Sequence, residues 1–298
     1  MTLNKMWLAI ADAIAQHTHR PINPQRVTPV SGGNINQNYV LQAEGQAYFV
    51  KINHQHHQLF VAEAQALEQI QATQTIRVPA VIAQGIEQQA AYLVLEALPL
   101  SAPPQHSHYA LGQQLAQLHR APVQQFPGGL YGWQRANFIG HSLQDNRPRC
   151  AWAEFWRENR LKPQLAMAYT NGFAGALQPY EKDLLARSDT LLADHCPAPS
   201  LVHGDLWSGN AACLADSTPV IFDPASYYGD REVDLAMTEL FGGFSPEFYR
   251  GYADSWPLQK GYEKRKSLYN LYHMLNHLNL FGGGYRASCI TLIDRVLA

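Results

Sequence analysis

The stretch LVHGDLWSGN at residues 201–210, followed by PVIFD at 219–223, decides how this chain folds and what chemistry it can hold. Short apolar runs broken by Gly, Ser and Asn predict strands and loops here rather than a helix. Asp205 stands five residues before Asn210, and Asp223 ends the next apolar run. Carboxylate and amide oxygens are the ligands that Mg²⁺ prefers, and a carboxylate can accept a hydroxyl proton. The segment therefore predicts a catalytic carboxylate, Asp205, beside two magnesium ligands, Asn210 and Asp223.

This spacing is that of a kinase catalytic loop, where phosphoryl transfer from ATP needs a carboxylate near the attacking hydroxyl and oxygen ligands for Mg²⁺. An isolated Asp-x4-Asn is weak evidence, because turns use both residue types for local hydrogen bonds. The His-Gly pair at 203–204 and the apolar run ending at Asp223 make the signal specific. The sequence accordingly predicts a kinase that uses ATP and Mg²⁺.

A kinase also needs a loop over the nucleotide phosphates, a lysine beneath them and a carboxylate that holds this lysine. The chain offers a glycine-containing loop, then Lys51 at the end of YFVK, then Glu63 on a predicted helix. The absence of GxxxxGK[ST] excludes a Walker-type loop, and Gly-Gly alone fits an ordinary tight turn equally well. The predicted nucleotide-binding loop residues are Gly32, Gly33, Asn34, Ile35 and Asn36.

Composition restricts the class of protein. With 298 residues, of which 46% are hydrophobic and 15% charged, the chain is predicted to be globular with a sizeable core. A formal net charge of −2 without a basic run argues against a nucleic-acid partner. Four scattered cysteines lack metal-ligand spacing, and no apolar run approaches the length that spans a bilayer. We therefore expect reduced thiols, no membrane partner and a cytoplasmic location.

The order of predicted elements indicates an α+β fold with two lobes. β-branched and aromatic residues predict strands at 37–43, 46–52 and 91–97, with Glu44-Gly45 as a hairpin turn. Between the second and third strands, an apolar face predicts the helix that carries Glu63. An N-terminal helix is predicted from the spacing of Trp7, Ile10 and Ile14.

Proline and serine in PLSAPPQHS, residues 99–107, resist both helix and central strand, so this segment is predicted to connect the lobes. Beyond it the pattern is mostly helical, and Trp152, Phe155 and Trp156 are predicted core residues. The predicted domains are an antiparallel-sheet nucleotide lobe at 1–98 and a helical catalytic and substrate-binding lobe at 99–298.

In its longer motifs the chain resembles the fructosamine kinases, or ketosamine 3-kinases, within the aminoglycoside-phosphotransferase-like kinases. HGDLWSGN at 203–210 and the segment 221–244 carry the resemblance. Shorter landmarks are SGGNINQNY at 31–39, FVK at 49–51, LVLE at 93–96, YGWQRANFIG at 131–140 and FWRENRLKPQL at 155–165. The resemblance spans nearly the whole chain and implies a two-lobed protein-kinase-like fold.

The resemblance also implies an activity, namely phosphorylation by ATP at the sugar O3 of a small or protein-linked ketosamine (ribulosamine, erythrulosamine or fructosamine), followed by deglycation. Asp205 would act on the sugar hydroxyl, and Lys51 would contact the α and β phosphates while paired with Glu63. The adenine edge would meet the backbone of Glu96, Ala97 and Leu98. His203 and Asp234 would brace the catalytic loop.

Trp207 and Ser208 separate the chain from the aminoglycoside kinases, and we interpret them as lying on the substrate side, although packing alone would also explain Trp207. Gln134 and Ala136 stand where family members often have acidic residues, which leaves fine specificity open. The glycine-containing loop lacks the cysteine that some relatives use as a redox switch, so no such regulation is expected.

Two alternatives stay open at this level. One is a kinase of the same fold that acts on an aminoglycoside, choline or another sugar, and the other is a nucleotide-binding pseudokinase. The histidines at 54, 56, 57, 106 and 108 are interpreted as solvated loop residues rather than metal ligands. Sugar length, the amine, oligomeric state and preference for ATP over GTP are not determined by the sequence.

Overall fold

The computed structural model describes residues 5–31, 35–123 and 130–298, and its N-terminal part is built on a five-stranded antiparallel sheet. The strands follow the order β1-β2-β3-β5-β4. They are β1 (Pro24–Val30), β2 (Gln37–Ala43), β3 (Gln46–Asn53), β4 (Val81–Glu87) and β5 (Ala90–Glu96). The three predicted strands are confirmed as β2, β3 and β5. The two edge strands were missed because prolines in β1 and a glycine in β4 weaken the strand pattern, and such residues are tolerated at edges.

The turn between β2 and β3 is the predicted Glu44-Gly45 pair. Both residues adopt positive φ, 52° at Glu44 and 77° at Gly45. Two consecutive positive φ angles are what a two-residue type I′ hairpin requires, because this turn matches the right-handed twist of the strands. The turn sets the register that places Lys51 opposite Asn38 on β2 and Leu93 on β5.

Two helices cover the two faces of this sheet. Helix α1 (Lys5–Thr18) packs on one face and helix α2 (Gln58–Ala72) on the other. Strand β5 is buried on both sides, and its side chains alternate: Val94 joins the cluster under α1, whereas Leu93 and Leu95 join the core that includes α2. That second core continues without a break into the helical part of the chain.

The rest of the chain is mostly helical, as predicted. The α-helices are α3 (Gln105–Arg120), α4 (Trp152–Trp156), α5 (Lys162–Ala168), α6 (Ala174–Leu192), α7 (Glu232–Leu240), α8 (Pro246–Ser255), α9 (Tyr262–Phe281) and α10 (Arg286–Leu297). Trp152, Phe155 and Trp156 are buried core residues, which confirms their prediction. None of the helices that the structure describes is both long enough and apolar enough to cross a lipid bilayer.

The predicted connection at 99–107 is partly wrong, because α3 already begins at Gln105. His106 and His108 therefore lie in a helix. His108 is buried and its Nδ1 accepts the main-chain N–H of Ser245 at 2.9 Å, so the interpretation as a solvated loop residue fails for it. The short polar segment 105–107 shows no helical pattern, so the start of the helix could not be predicted. The tertiary contact of His108 with Ser245 stabilises this start. The domain boundary after residue 98 stays a prediction.

Six short strands position the decisive segment. Four of them pair as β8 (Ser200–Val202) with β11 (Tyr227–Gly229) and β9 (Ala211–Cys213) with β10 (Pro219–Ile221). The other two form a hairpin of β6 (Asn137–Ile139) and β7 (Ser142–Gln144). The predicted strand-and-loop character of residues 200–223 is confirmed. The hairpin packs against α2, next to the loop that follows β10.

Candidate active site

A cavity of about 550 Å³ lies between the five-stranded sheet, α2, the loops after β8 and β10, and α9. This volume is in the range of sites for small molecules. Residues that are more than a hundred positions apart in the sequence come together here, because β3 and the loops after β8 and β10 all line the cavity. The predicted site residues that line it are Ile35, Asn36, Lys51, Glu63, Asp205, Trp207, Asn210 and Asp223.

Lys51 joins two carboxylates within this cavity. Its Nζ lies 2.6 Å from Oε1 of Glu63 and 2.5 Å from Oδ1 of Asp223. Burial by itself lowers the pKa of Lys51, but the two carboxylates outweigh burial and the net pKa is raised. The ammonium group is therefore held in its charged form between α2 and the loop after β10. A fixed positive charge at this point can contact phosphate oxygens.

Asp205 sits on a sharply turned loop after β8. Gly204 has φ +83°, and a Cβ at that position would lie 2.2 Å from the carbonyl oxygen of Ala225, so only glycine fits. Burial raises the pKa of Asp205 to about 7, and the neighbouring carboxylates of Asp223 and Asp234 add to the rise. An aspartate with this pKa is a better proton acceptor near neutral pH than an ordinary surface aspartate.

Asp234 and His203 stabilise the loop that carries Asp205 through hydrogen bonds to its main chain. The carboxylate of Asp234 accepts the main-chain N–H groups of His203 at 2.6 Å and Gly204 at 2.8 Å, and it also lies 3.0 Å from Nε2 of His119. His203 lies 2.9 Å by Nε2 from the carbonyl oxygen of Phe222, and its Nδ1 accepts the N–H of Asp205 at 3.3 Å. Burial lowers the pKa of His203, so its imidazole is neutral and serves as a brace. Neither His203 nor Asp234 lines the cavity.

Asn210 and Asp223 provide oxygen atoms suited to Mg²⁺. Nδ2 of Asn210 donates to the carbonyl oxygen of Asp205 at 2.9 Å, which leaves the amide Oδ1 as the atom for a cation. Asp223 uses Oδ1 for Lys51, and its side chain is 47% exposed, so the second carboxylate oxygen can reach a metal ion. Hard oxygen donors that leave room for water and phosphate are the usual environment of Mg²⁺. The residues present fit this metal.

Several predicted site residues are not brought to the cavity. Glu96, Ala97 and Leu98 lie at the end of β5 outside its lining; the N–H of Glu96 donates to the carbonyl oxygen of Ala80 at 2.9 Å, and its carboxylate pairs with Arg77. Ser208 packs close to Gly243 rather than toward the cavity. Gly32, Gly33 and Asn34 lie outside the described residues. Gln134 and Ala136 are exposed and do not line the cavity.

Sequence reasoning missed most of the aromatic wall of the cavity. Phe241 lies between Trp207 and His277, with ring centroids 6.4 Å and 5.0 Å away, and His277 in turn lies 5.6 Å from Phe281 and 5.3 Å from Tyr285. Trp207 and Phe281 are 40% and 46% exposed, so the wall is open to a ligand. The spacing of His277 and Phe281 on α9 could have indicated part of this face, because residues four apart are neighbours on a helix, whereas Tyr285 follows the end of that helix.

The β6–β7 hairpin also lines the cavity and was recognised from sequence only as a family landmark. Nδ2 of Asn137 donates to the carbonyl oxygen of Ser226 at 2.7 Å, and Nε2 of Gln144 donates to that of Ala225 at 3.1 Å. Both acceptors follow Asp223 within three residues. The hairpin thus fixes the loop that carries Asp223 through buried amide groups. No local pattern indicates this, since the partners are 89 and 81 residues apart.

Comparison with known proteins assigns the chain to a group. The sequence profile of a family described as fructosamine kinase matches residues 6–298. A relative in Synechocystis sp., named "Probable ketoamine kinase", is 49% identical over 294 residues, which cover 98% of this chain and 97% of the relative. The chloroplastic protein-ribulosamine 3-kinase of Arabidopsis thaliana is 38% identical over 274 residues, covering 91% of this chain and 82% of the plant protein.

A solved structure shows the same architecture. The crystal structure of a protein from Haemophilus somnus named "Putative fructosamine-3-kinase" superimposes with a TM-score of 0.88 at 31% sequence identity, over 98% of both chains. The predicted α+β kinase-like fold is therefore confirmed.

Proposed function

This chain belongs to the fructosamine kinase family, and from that premise we propose that it transfers the γ-phosphoryl group of ATP to the O3 hydroxyl of a ketosamine. Family membership makes it an ATP-dependent kinase with a sugar hydroxyl as the acceptor. What we propose beyond this is that the acceptor is a ketosamine, that its O3 is phosphorylated and that the individual residues act as follows.

One observation carries the proposal, namely that Asp205 shares a single cavity with the Lys51–Glu63 ion pair, with Asn210 and Asp223, and with the aromatic wall. Asp205 orients the acceptor hydroxyl and accepts its proton as the oxygen bonds to the γ-phosphorus, while the bond from that phosphorus to the β,γ-bridging oxygen breaks and ADP leaves. Lys51 holds phosphate oxygens, and Glu63 keeps its ammonium in place. Asn210 and Asp223 would hold Mg²⁺, which when bound would supply positive charge beside the phosphates.

The nucleotide end of the site is proposed from the resemblance and from chain order. Residues 32–36, of which Ile35 and Asn36 line the cavity, bind the phosphates, and the backbone of Glu96 to Leu98, which lies outside the cavity lining, contacts the adenine edge. Because the N–H of Glu96 already donates to the carbonyl oxygen of Ala80, other backbone groups of this segment must form the hydrogen bonds to adenine.

The aromatic wall supports a ketosamine acceptor. A ketosamine joins a polar sugar to a secondary amine that is protonated near neutral pH. A cation beside the face of an aromatic ring is attracted to it, and a flat apolar wall also suits the chain attached to the amine. Trp207 is next but one to Asp205, so a sugar hydroxyl at Asp205 places the amine near this wall.

The chemical consequence is deglycation. A phosphate at O3 is a much better leaving group than hydroxide, so the product can lose phosphate together with a carbon-bound proton, and water then hydrolyses the resulting imine to release the free amine. The plant relative, named for activity on protein-linked ribulosamines, makes a ribulosamine the first sugar to test.

The test is Mg²⁺-dependent ATP consumption with ribulosamine, erythrulosamine, fructosamine and an aminoglycoside as acceptors. Turnover is expected on ketosamines, and Asp205→Asn is expected to lower kcat by on the order of 10²-fold or more, because the proton acceptor is lost. Asp183→Asn, on the exposed face of α6, controls for the loss of one negative charge and should behave like the wild type.

Turnover confined to the aminoglycoside would keep the kinase chemistry but overturn the ketosamine acceptor. Nucleotide binding without any turnover would favour the pseudokinase. Full activity of Asp205→Asn would remove Asp205 from its assigned role.

A further inference from the structure

Asn53, the last residue of β3, makes hydrogen bonds with two separate segments. Its buried side chain is 5% exposed. Nδ2 donates to Oδ1 of Asn36 at 2.8 Å and more weakly to the carbonyl oxygen of Ile35 at 3.4 Å. Oδ1 accepts the main-chain N–H groups of Gln55 and His56, both at 2.8 Å. The amide is thus used at both ends.

The two accepted bonds form the turn that leads from β3 into α2. Helix α2 carries Glu63, and His57 at its N-terminus makes no capping bond with its side chain. The turn made by Asn53 lies directly before His57 and connects β3 to the helix, as Asn side chains commonly do in turns. Asn53 is also two residues after Lys51, on the same face of the strand.

The two donated bonds hold two residues that line the cavity. Ile35 and Asn36 both line the cavity, and both belong to the predicted phosphate-binding segment. The backbone of β2 begins only at Gln37, so the β-ladder does not restrain these two residues. The amide of Asn53 ties them to the strand that carries Lys51.

We propose that Asn53 is a positioning residue for the nucleotide, because its one amide aligns Ile35 and Asn36 with Lys51 and with the start of the helix that carries Glu63. This inference rests on the proposed nucleotide site. Loss of the Asn53 hydrogen bonds lets Ile35 and Asn36 leave the arrangement that binds nucleotide. The apparent affinity for nucleotide then falls in proportion to the fraction of molecules that leave this arrangement.

Asn53→Ala removes all four bonds and can also disturb α2. Asn36→Ala removes only the acceptor on the loop side and leaves the turn before α2 intact, so the two variants separate positioning from folding. Gln84→Ala, an exposed glutamine on edge strand β4, is the matched control for loss of an amide from the same sheet.

The experiment measures the affinity of Mg²⁺ and a non-hydrolysable ATP analogue by calorimetry, together with the melting temperature. Asn53→Ala and Asn36→Ala are each expected to weaken nucleotide binding by roughly 3- to 10-fold, the equivalent of one net hydrogen bond, whereas Gln84→Ala should keep the wild-type affinity. Asn36→Ala and Asn53→Ala both remove the hydrogen bond between these two side chains. The double variant should therefore bind nucleotide no more weakly than Asn53→Ala alone. Asn36→Ala and Gln84→Ala should keep the wild-type melting temperature.

Unchanged nucleotide affinity in Asn36→Ala, or additive losses in the double variant, would overturn the proposal. Nucleotide binding is measured without an acceptor, so a wrong choice of ketosamine leaves this test intact. A wild-type protein that binds no nucleotide would instead refute the proposed function itself.

Discussion

At the scale of single residues, Asp205 shows a conflict between catalysis and stability. Its carboxylate is placed near those of Asp223 and Asp234, and burial raises its pKa to about 7. An unfolded aspartate has a pKa of roughly 3.9, so the folded protein binds this proton more tightly than the unfolded chain does. The stabilising effect of that proton is fully present at acid pH and is lost as the pH rises through about 7.

This conflict predicts that Asp205→Asn stabilises the protein in the absence of nucleotide and metal. The variant should melt at a higher temperature than the wild type at pH 8, where the native carboxylate is ionised, and the difference should shrink toward pH 5, where it is protonated. Thermal melting in a chelating buffer at both pH values measures the effect, with Asp183→Asn as control. An equal difference at both pH values would contradict the assigned cause.

At the scale of elements, α3 and α8 make one of the tightest contacts of the helical part. A Cβ on Gly112 of α3 would lie 2.1 Å from the carbonyl oxygen of Phe248, and one on Gly251 of α8 would lie 2.2 Å from that of Tyr109. The two backbones approach this closely only because glycine stands at both crossing points. Helix α3 also carries His119, which contacts Asp234 beneath the catalytic loop, so this packing reaches the site.

Gly112→Ala is therefore expected to destabilise the protein by about 1–3 kcal/mol or more, because the clash is with backbone that cannot rotate away. Gly175→Ala in α6 is the matched control, since nothing lies within 4 Å of its added Cβ. That control should be neutral or more stable by up to about 1 kcal/mol, the difference in helix propensity between glycine and alanine. Urea unfolding compares the two variants, and equal effects would refute close backbone packing as the cause.

At the scale of the whole molecule, the cavity joins residues from the sheet, α2, the β6–β7 hairpin and α9. A ligand bound there contacts both the N-terminal sheet and the helical part, and it binds only the folded protein. Folding and nucleotide binding are therefore linked thermodynamically.

Mg²⁺ with a non-hydrolysable ATP analogue should raise the melting temperature. At a concentration 100 times its Kd, a ligand adds about 2.7 kcal/mol to the free energy of unfolding. Lys51→Met should lose most of this shift, because it removes the ammonium between Glu63 and Asp223. The shift is measured by differential scanning calorimetry, with Lys182→Met on the exposed face of α6 as control. A full shift in Lys51→Met would exclude its contact with the phosphates.

The sequence by itself determined the parts that depend on local pattern. Strands β2, β3 and β5, their hairpin turn and helix α2 follow from side-chain periodicity and turn chemistry, which act between near neighbours. The spacing of Asp205 and Asn210 was equally readable, because both stand on one short loop. The edge strands β1 and β4 and the start of α3 were not predicted, since prolines and polar residues weaken the local pattern of these segments.

Only the tertiary structure decided which distant residues share the cavity. The contact of Lys51 with Asp223, the ring contacts that join Trp207, Phe241 and His277, and the amide bonds of the β6–β7 hairpin all join segments far apart in the chain. The burial that raises the pKa of Asp205 likewise exists only after folding. Local periodicity records which face of an element is apolar, but long-range packing of the whole core determines what that face meets.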